Sequence, residues 1–97
     1  MERKAFRTRL KPEFREQYID AHRNFSAELH SRYLEAGVRN ISIFLFGNEL
    51  FMYVEAESFE KVQTMLADDA LDKAWQQHVG PMKDSGSTEL LEIFHLG

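Results

Sequence analysis

Cysteine is absent from this 97-residue chain. That excludes disulfides, thiolate nucleophiles and Cys-ligated metals, and nothing points to secretion. Proline occurs twice and glycine five times, too sparsely for a linker or a disordered tract. No apolar run approaches the roughly 20 residues that cross a bilayer; the longest lies around "ISIFLF", residues 41–46. The amino-terminal "MERKAFRTRLKPEF" is basic but lacks the apolar stretch of a signal peptide. A net charge of −4 offers no general attraction to phosphate backbones, so nucleic acid is not an expected partner. These exclusions leave a cytoplasmic protein with no membrane contact, one domain over residues 1–97, without repeats or low-complexity tracts. So short a chain buries only roughly 60–65% of its unfolded surface, and pairing with a second copy would supplement its stability.

What the chain does have is hydrophobic periodicity. Residues 4–10 alternate, with Phe6, Thr8 and Leu10 on one side and Arg7 and Arg9 on the other, which predicts a half-buried strand. Pro12 suits the first turn of a helix. Phe14, Tyr18, Ala21, Phe25, Leu29 and Tyr33 then recur at intervals of three or four. That spacing predicts one long amphipathic helix, which Gly37 can end. "VRNISIFLFGNELFMYVEAE", residues 38–57, reads as a hairpin turning on Gly47-Asn48. The turn sets Phe46 opposite Glu49 and Phe44 opposite Phe51.

One hairpin face then carries Ile41, Ile43, Leu45, Leu50, Met52 and Val54, and is expected under the helices. The other carries Ser42, Phe44, Phe46, Phe51 and Tyr53, edged by Glu49 and Glu55. That face is too apolar to stay wet and is expected to be covered by a partner subunit or by the chain's own loops. Ser58 can cap a short helix carrying Phe59, Val62, Met65 and Leu66. A second helical piece over 69–79 carries Leu71, Trp75 and Val79, and Gly80-Pro81 breaks it. "KDSGST" is then a loop and "ELLEIFHL" a closing strand. The order βαββαβ predicts an α+β, ferredoxin-like fold: an antiparallel sheet with helices on one face.

Tyr18 and His22 stand four apart, and on a helical wheel His22 falls about 40° from Tyr18, inside the apolar stripe. An imidazole there has two readings. One is a packed core residue whose ring nitrogens bond a carbonyl and a neighbouring side chain, the commoner fate of such a histidine. The other is a general acid/base in a pocket between helix and sheet, a task that suits a pKa near working pH. Tyr18 would then bond a substrate hydroxyl or orient the ring. His30 falls on the polar side of the helix, and His78 and His95 lie in separate elements. No H-x-H or H-x-x-x-H spacing occurs, so no metal site is expected. Trp75, the only tryptophan, serves as a core anchor or as a platform for the C–H face of a sugar. Asp68, Asp69, Asp72 and Lys73 read as a solvated helix start. With no phosphate loop, Ser-His-Asp pattern or nucleophile elbow, any chemistry is light.

Several segments together resemble the L-rhamnose mutarotase family. They are "RKAF" at 3–6, Pro12, "EQY…AH" ending in Tyr18 and His22, "AEL" at 27–29, "GVRNISIFL" at 37–45, "LFMYVE" at 50–55, the Trp75 helix and a terminal "LLEIFHL". The match runs nearly end to end. It implies a homodimer of the dimeric α+β-barrel type that interconverts the α and β anomers of a free 6-deoxy sugar. It also implies an aldose 1-epimerase type of reaction with no cofactor. The family's catalytic histidine, a proton donor, matches His22, and a substrate-binding tyrosine matches Tyr18. Other positions depart. Ile41 stands where the family often has a substrate-binding tyrosine, and Ser26-Ala27 replace a typical Trp-Pro. An aromatic pair on the late helix becomes either Ala74-Trp75 or Trp75-Gln76, and the hairpin turn is shorter. Losing a phenol removes a hydroxyl-reading contact, which bears on the identity of the sugar more than on the reaction.

To open a pyranose, the anomeric hydroxyl must lose a proton while the ring oxygen gains one; the aldehyde then presents its other face and the ring recloses. One well-placed acid/base and a shaped pocket suffice for a reaction that also runs unaided. The expected mechanism has protonated His22 donating to the ring oxygen while a second group or a water takes the anomeric proton. Two other readings fit the same fold. One is a cofactor-free monooxygenase-like enzyme of the dimeric barrel type, and the other is a sugar-binding dimer module without activity.

Overall fold

Alternation decides the first strand, β1 (Glu2–Arg9): Thr8 and then Leu10 turn inward and are buried, while Arg7 and Arg9 face out and pair with Glu49 across the sheet. The computed structural model describes residues 1–84 and 86–97; Ser85, inside the expected "KDSGST" loop, lies outside them. Among the described residues β1 is followed by a 3-10 turn (Pro12–Phe14), α1 (Arg15–Arg23), α2 (Ala27–Glu35), β2 (Val38–Phe46), β3 (Glu49–Ala56), α3 (Phe59–Leu66), α4 (Ala70–Val79), a second 3-10 turn (Gly80–Met82) and β4 (Thr88–Leu90). The strands form one antiparallel sheet in the order β2-β3-β1-β4, the ferredoxin-like arrangement. Phe46 pairs with Glu49 and Phe44 with Phe51, as the turn requires. Gly47 takes φ 60° while Asn48 keeps a negative φ, as in a type II′ turn.

Where one long helix is expected, the structure has two. Asn24 ends α1, its side chain bonding the Asp20 carbonyl at 2.9 Å. Ser26 adopts an extended backbone and its Oγ accepts the Leu29 amide at 3.2 Å, capping α2. Short polar side chains offer the backbone these local bonds in place of helix continuation, and they override the apolar period. Gly37 ends α2 at φ 99°, where a Cβ would come within 3.3 Å of Glu57 Oε1.

Helices cover one face of the sheet. Tyr18 of α1, Val79 of α4 and Met82 pack with Leu10 and Leu50, and Phe14, Ala21, Ile43, Leu45 and Trp75 close around them. Each aliphatic side chain fully buried there contributes about 1.5–3 kcal/mol. The opposite face stays bare, with Phe44 62% and Phe46 81% exposed. The closing strand is shorter than expected: β4 pairs only with Ala5–Arg7, and residues 91–97 leave the ladder. Leu91, Ile93, Phe94 and Leu96 are all exposed. An edge strand gains little from hydrogen bonds alone, and a single chain offers these side chains no surface to pack against.

Candidate active site

Between the helices and the aliphatic hairpin face lies an open cleft of about 1290 Å³, walled by residues of β2, β3 and all four helices. It exceeds the roughly 300–1,000 Å³ of an ordinary ligand pocket, so a monosaccharide would occupy only part of it. On one wall α1 stacks the Tyr18 and His22 rings 4.3 Å apart at 39°. His22 Nδ1 lies 2.8 Å from the Tyr18 carbonyl oxygen. A carbonyl only accepts, so Nδ1 carries the hydrogen and donates it. In the neutral ring Nε2 is then a bare lone pair, and no described group bonds it.

Trp75 meets His22 edge-on at 4.9 Å and 79°, and meets Phe25 at 4.9 Å and 86°. Phe25, placed by the break between α1 and α2, reaches Tyr33 at 5.9 Å. The Tyr33 hydroxyl donates to Asp72 Oδ1 at 2.5 Å. These rings hold the imidazole in one orientation and make an aromatic wall beside it.

The wall also sets the electrostatics. Burial lowers the His22 pKa from its ordinary 6.5; the bond to the Tyr18 carbonyl opposes this, and the charge of Lys83 adds to the lowering. Burial raises the Tyr18 phenol above 10.0, so it stays a neutral donor. Tyr18 is only 6% exposed, yet no described side-chain nitrogen or oxygen is both sealed from solvent and unbonded. With no partner among the described residues, its hydroxyl keeps some access to solvent. Tyr33 is raised by burial and by Asp72, and Lys83 is lowered by burial.

Of the residues singled out from the sequence, Tyr18, His22, Ile41, Trp75 and Gln76 line the cleft. Ala74 does not: it is exposed on α4 and takes no part in the cleft wall. Ser26 and Ala27 are spent on capping and starting α2, and neither lines the cleft. His30 edges the cleft but is exposed, and His78 is exposed behind Trp75. His95 lies in the tail near Glu92. No group of three His, Asp or Glu side chains among the described residues is placed to hold a metal. Among the cleft residues that the sequence reading did not single out for the site are Phe25, Tyr33 and Lys83. The first two belonged to the apolar period and read as core, while Lys83 fell in a segment with no period at all.

An imidazole on the wall of an open cleft, above a ferredoxin-like sheet, defines a small α+β protein with a candidate ligand site between helices and sheet. Residues 3–96 match the family described as L-rhamnose mutarotase. An L-rhamnose mutarotase of Oceanobacillus iheyensis is 31% identical over 104 residues, covering 99% of each chain. The chain belongs to the L-rhamnose mutarotase family. Its backbone is similar to the crystal structure of L-rhamnose mutarotase FA22100 from Formosa agariphila, with a TM-score of 0.83, 24% identity and full coverage of both chains. It is also similar to an antibiotic biosynthesis monooxygenase, described as putative, from Bordetella bronchiseptica, with a TM-score of 0.73, 12% identity and 97% and 96% coverage. Both structural likenesses carry the fold alone.

Proposed function

We propose that this protein is a mutarotase, interconverting the α and β anomers of a free deoxy sugar, L-rhamnose or a related sugar such as L-fucose. The reaction is of the aldose 1-epimerase type and uses no cofactor. Family membership supports the reaction, and one observation carries the assignment of its centre: the His22 ring is pinned through Nδ1 with Nε2 free on the cleft wall. His22 exchanges the proton through Nε2. As imidazolium it is the general acid toward the ring oxygen; as neutral imidazole it takes the anomeric proton. Its lowered pKa makes the neutral form the resting one at pH 7, so the acid route dominates only toward lower pH. Tyr18 donates to a sugar hydroxyl, and Trp75 offers a face to the sugar's C–H surface. Ile41, on the β2 wall, supplies only apolar contact, which favours a sugar carrying a methyl or hydrogen at that side.

The aromatic sheet face and the apolar tail support a homodimer formed through that side of the sheet. Anomer exchange followed by saturation-transfer NMR over a panel of free sugars, with and without the protein, tests reaction and substrate together. Acceleration for L-rhamnose or L-fucose is expected. Binding with no rate effect would instead make the protein a sugar-binding module.

A further inference from the structure

We propose that Lys83 is the second proton-transfer group of the cleft: its ammonium gives a proton to the sugar's ring oxygen while His22 Nε2 takes the anomeric proton. This rests on the mutarotase reading and supplies the partner that His22 needs at neutral pH.

The backbone aims Lys83 at the cleft. The Lys11 amide donates to the Met82 carbonyl at 2.9 Å and the Asp84 amide to the Arg9 carbonyl at 2.8 Å, so Leu10 and Lys83 pair as antiparallel neighbours. Such partners project their side chains to the same face. Leu10 is fully buried on the helix-covered face, and Lys83 follows it there, half-buried and lining the cleft with Tyr18, His22 and Trp75. The other ionisable groups of the walls have different engagements. Arg39 pairs with Glu57, Lys73 with Asp68 at 3.5 Å, and Tyr33 with Asp72, while His30 is exposed and Tyr18 stays neutral. Lys83 makes no ion pair among the described residues, and half-buried ammonium groups ordinarily have one.

The charges balance through the cycle. At rest Lys83 is charged and His22 neutral. The O1–H proton passes to Nε2, the C1–O5 bond breaks as the C1–O1 bond becomes double, and O5 takes a proton from Nζ. The open-chain sugar then faces a charged His22 and a neutral Lys83. The site holds one cation throughout. Rotation about C1–C2 and the reverse transfers close the other anomer. Burial lowers both pKa values, and the charge of Lys83 further lowers that of His22, so two cations together are disfavoured and one is accommodated. Activity should therefore rise with pH through a value below 6.5 and fall through a value below 10.5.

The test is the pH dependence of kcat and KM for L-rhamnose in wild type, K83M and K83R. Methionine keeps the apolar stem, arginine keeps the charge without releasing a proton, and coincident melts of all three confirm the fold. Both variants are expected to lose about 10²-fold or more in kcat, to keep KM within about twofold, and to lose the alkaline limb. Wild-type kcat in K83M, or rescue by K83R, overturns the assignment of Lys83 alone. If wild-type protein leaves every sugar at its spontaneous exchange rate, the mutarotase reading fails and takes this one with it.

Discussion

His22 sits in an apolar stripe, as a packed histidine would, yet among the described residues only one of its two nitrogens is bonded. Truncating it to alanine should leave a folded chain whose sugar exchanges at about the spontaneous rate, a loss of roughly 10²–10⁴-fold at the chemical step; NMR exchange rates and a thermal melt check both halves. The same variant carries a stability signature. Because the folded pKa lies below 6.5, the unfolded chain binds the proton more readily. Stability from this group is present above pH 6.5 and is lost as pH falls through the folded value. His22→Ala should therefore show a shallower decline in Tm on acidification than wild type. Tyr18→Phe removes one neutral hydrogen bond, worth about 0.5–1.5 kcal/mol. It should raise KM by roughly threefold to tenfold with kcat little changed, read from the same exchange data. The one-turn spacing that brings these two rings together is local, which is why it can be read from the sequence. Lys83 could not be found that way, because only its pairing with Leu10 turns it inward.

The elements follow the same division. The hairpin was legible to the residue: Gly47-Asn48 dictates the turn, and the turn dictates every facing pair from Phe46 back to Ile41. The helix before it was legible as apolar spacing but not as two pieces, since Asn24 and Ser26 compete with helical hydrogen bonds by a few tenths to about 2 kcal/mol. Those two letters were the available signal. Ser26→Ala should cost about 1 kcal/mol and lower Tm by roughly 4–8 °C in a thermal melt. It should also loosen Phe25, which that break delivers to Trp75. Alternation in "ELLEIFHL" made a strand of the tail, but alternation states only which side chains share a face. It does not supply the surface that holds them.

For the whole molecule, one sheet face is roofed by helices around a cleft and the other is left apolar and open. A pair of chains joined across that open face would bury Phe44 and Phe46. The double variant Phe44→Asp, Phe46→Asp should then shift sedimentation from dimer to monomer while leaving the helix-side cleft intact. The sequence alone determined the order of the strands, the hairpin register and the Tyr18–His22 spacing, because each depends on neighbours within about four residues or on one tight turn. Only the tertiary structure decided that the apolar stripe opens into a cleft instead of closing as a core, that Trp75-Gln76 and not Ala74 faces it, and that Lys83 joins it. Those depend on how far apart two surfaces come to rest and on a contact between residues 10 and 83, and no local pattern encodes such a distance.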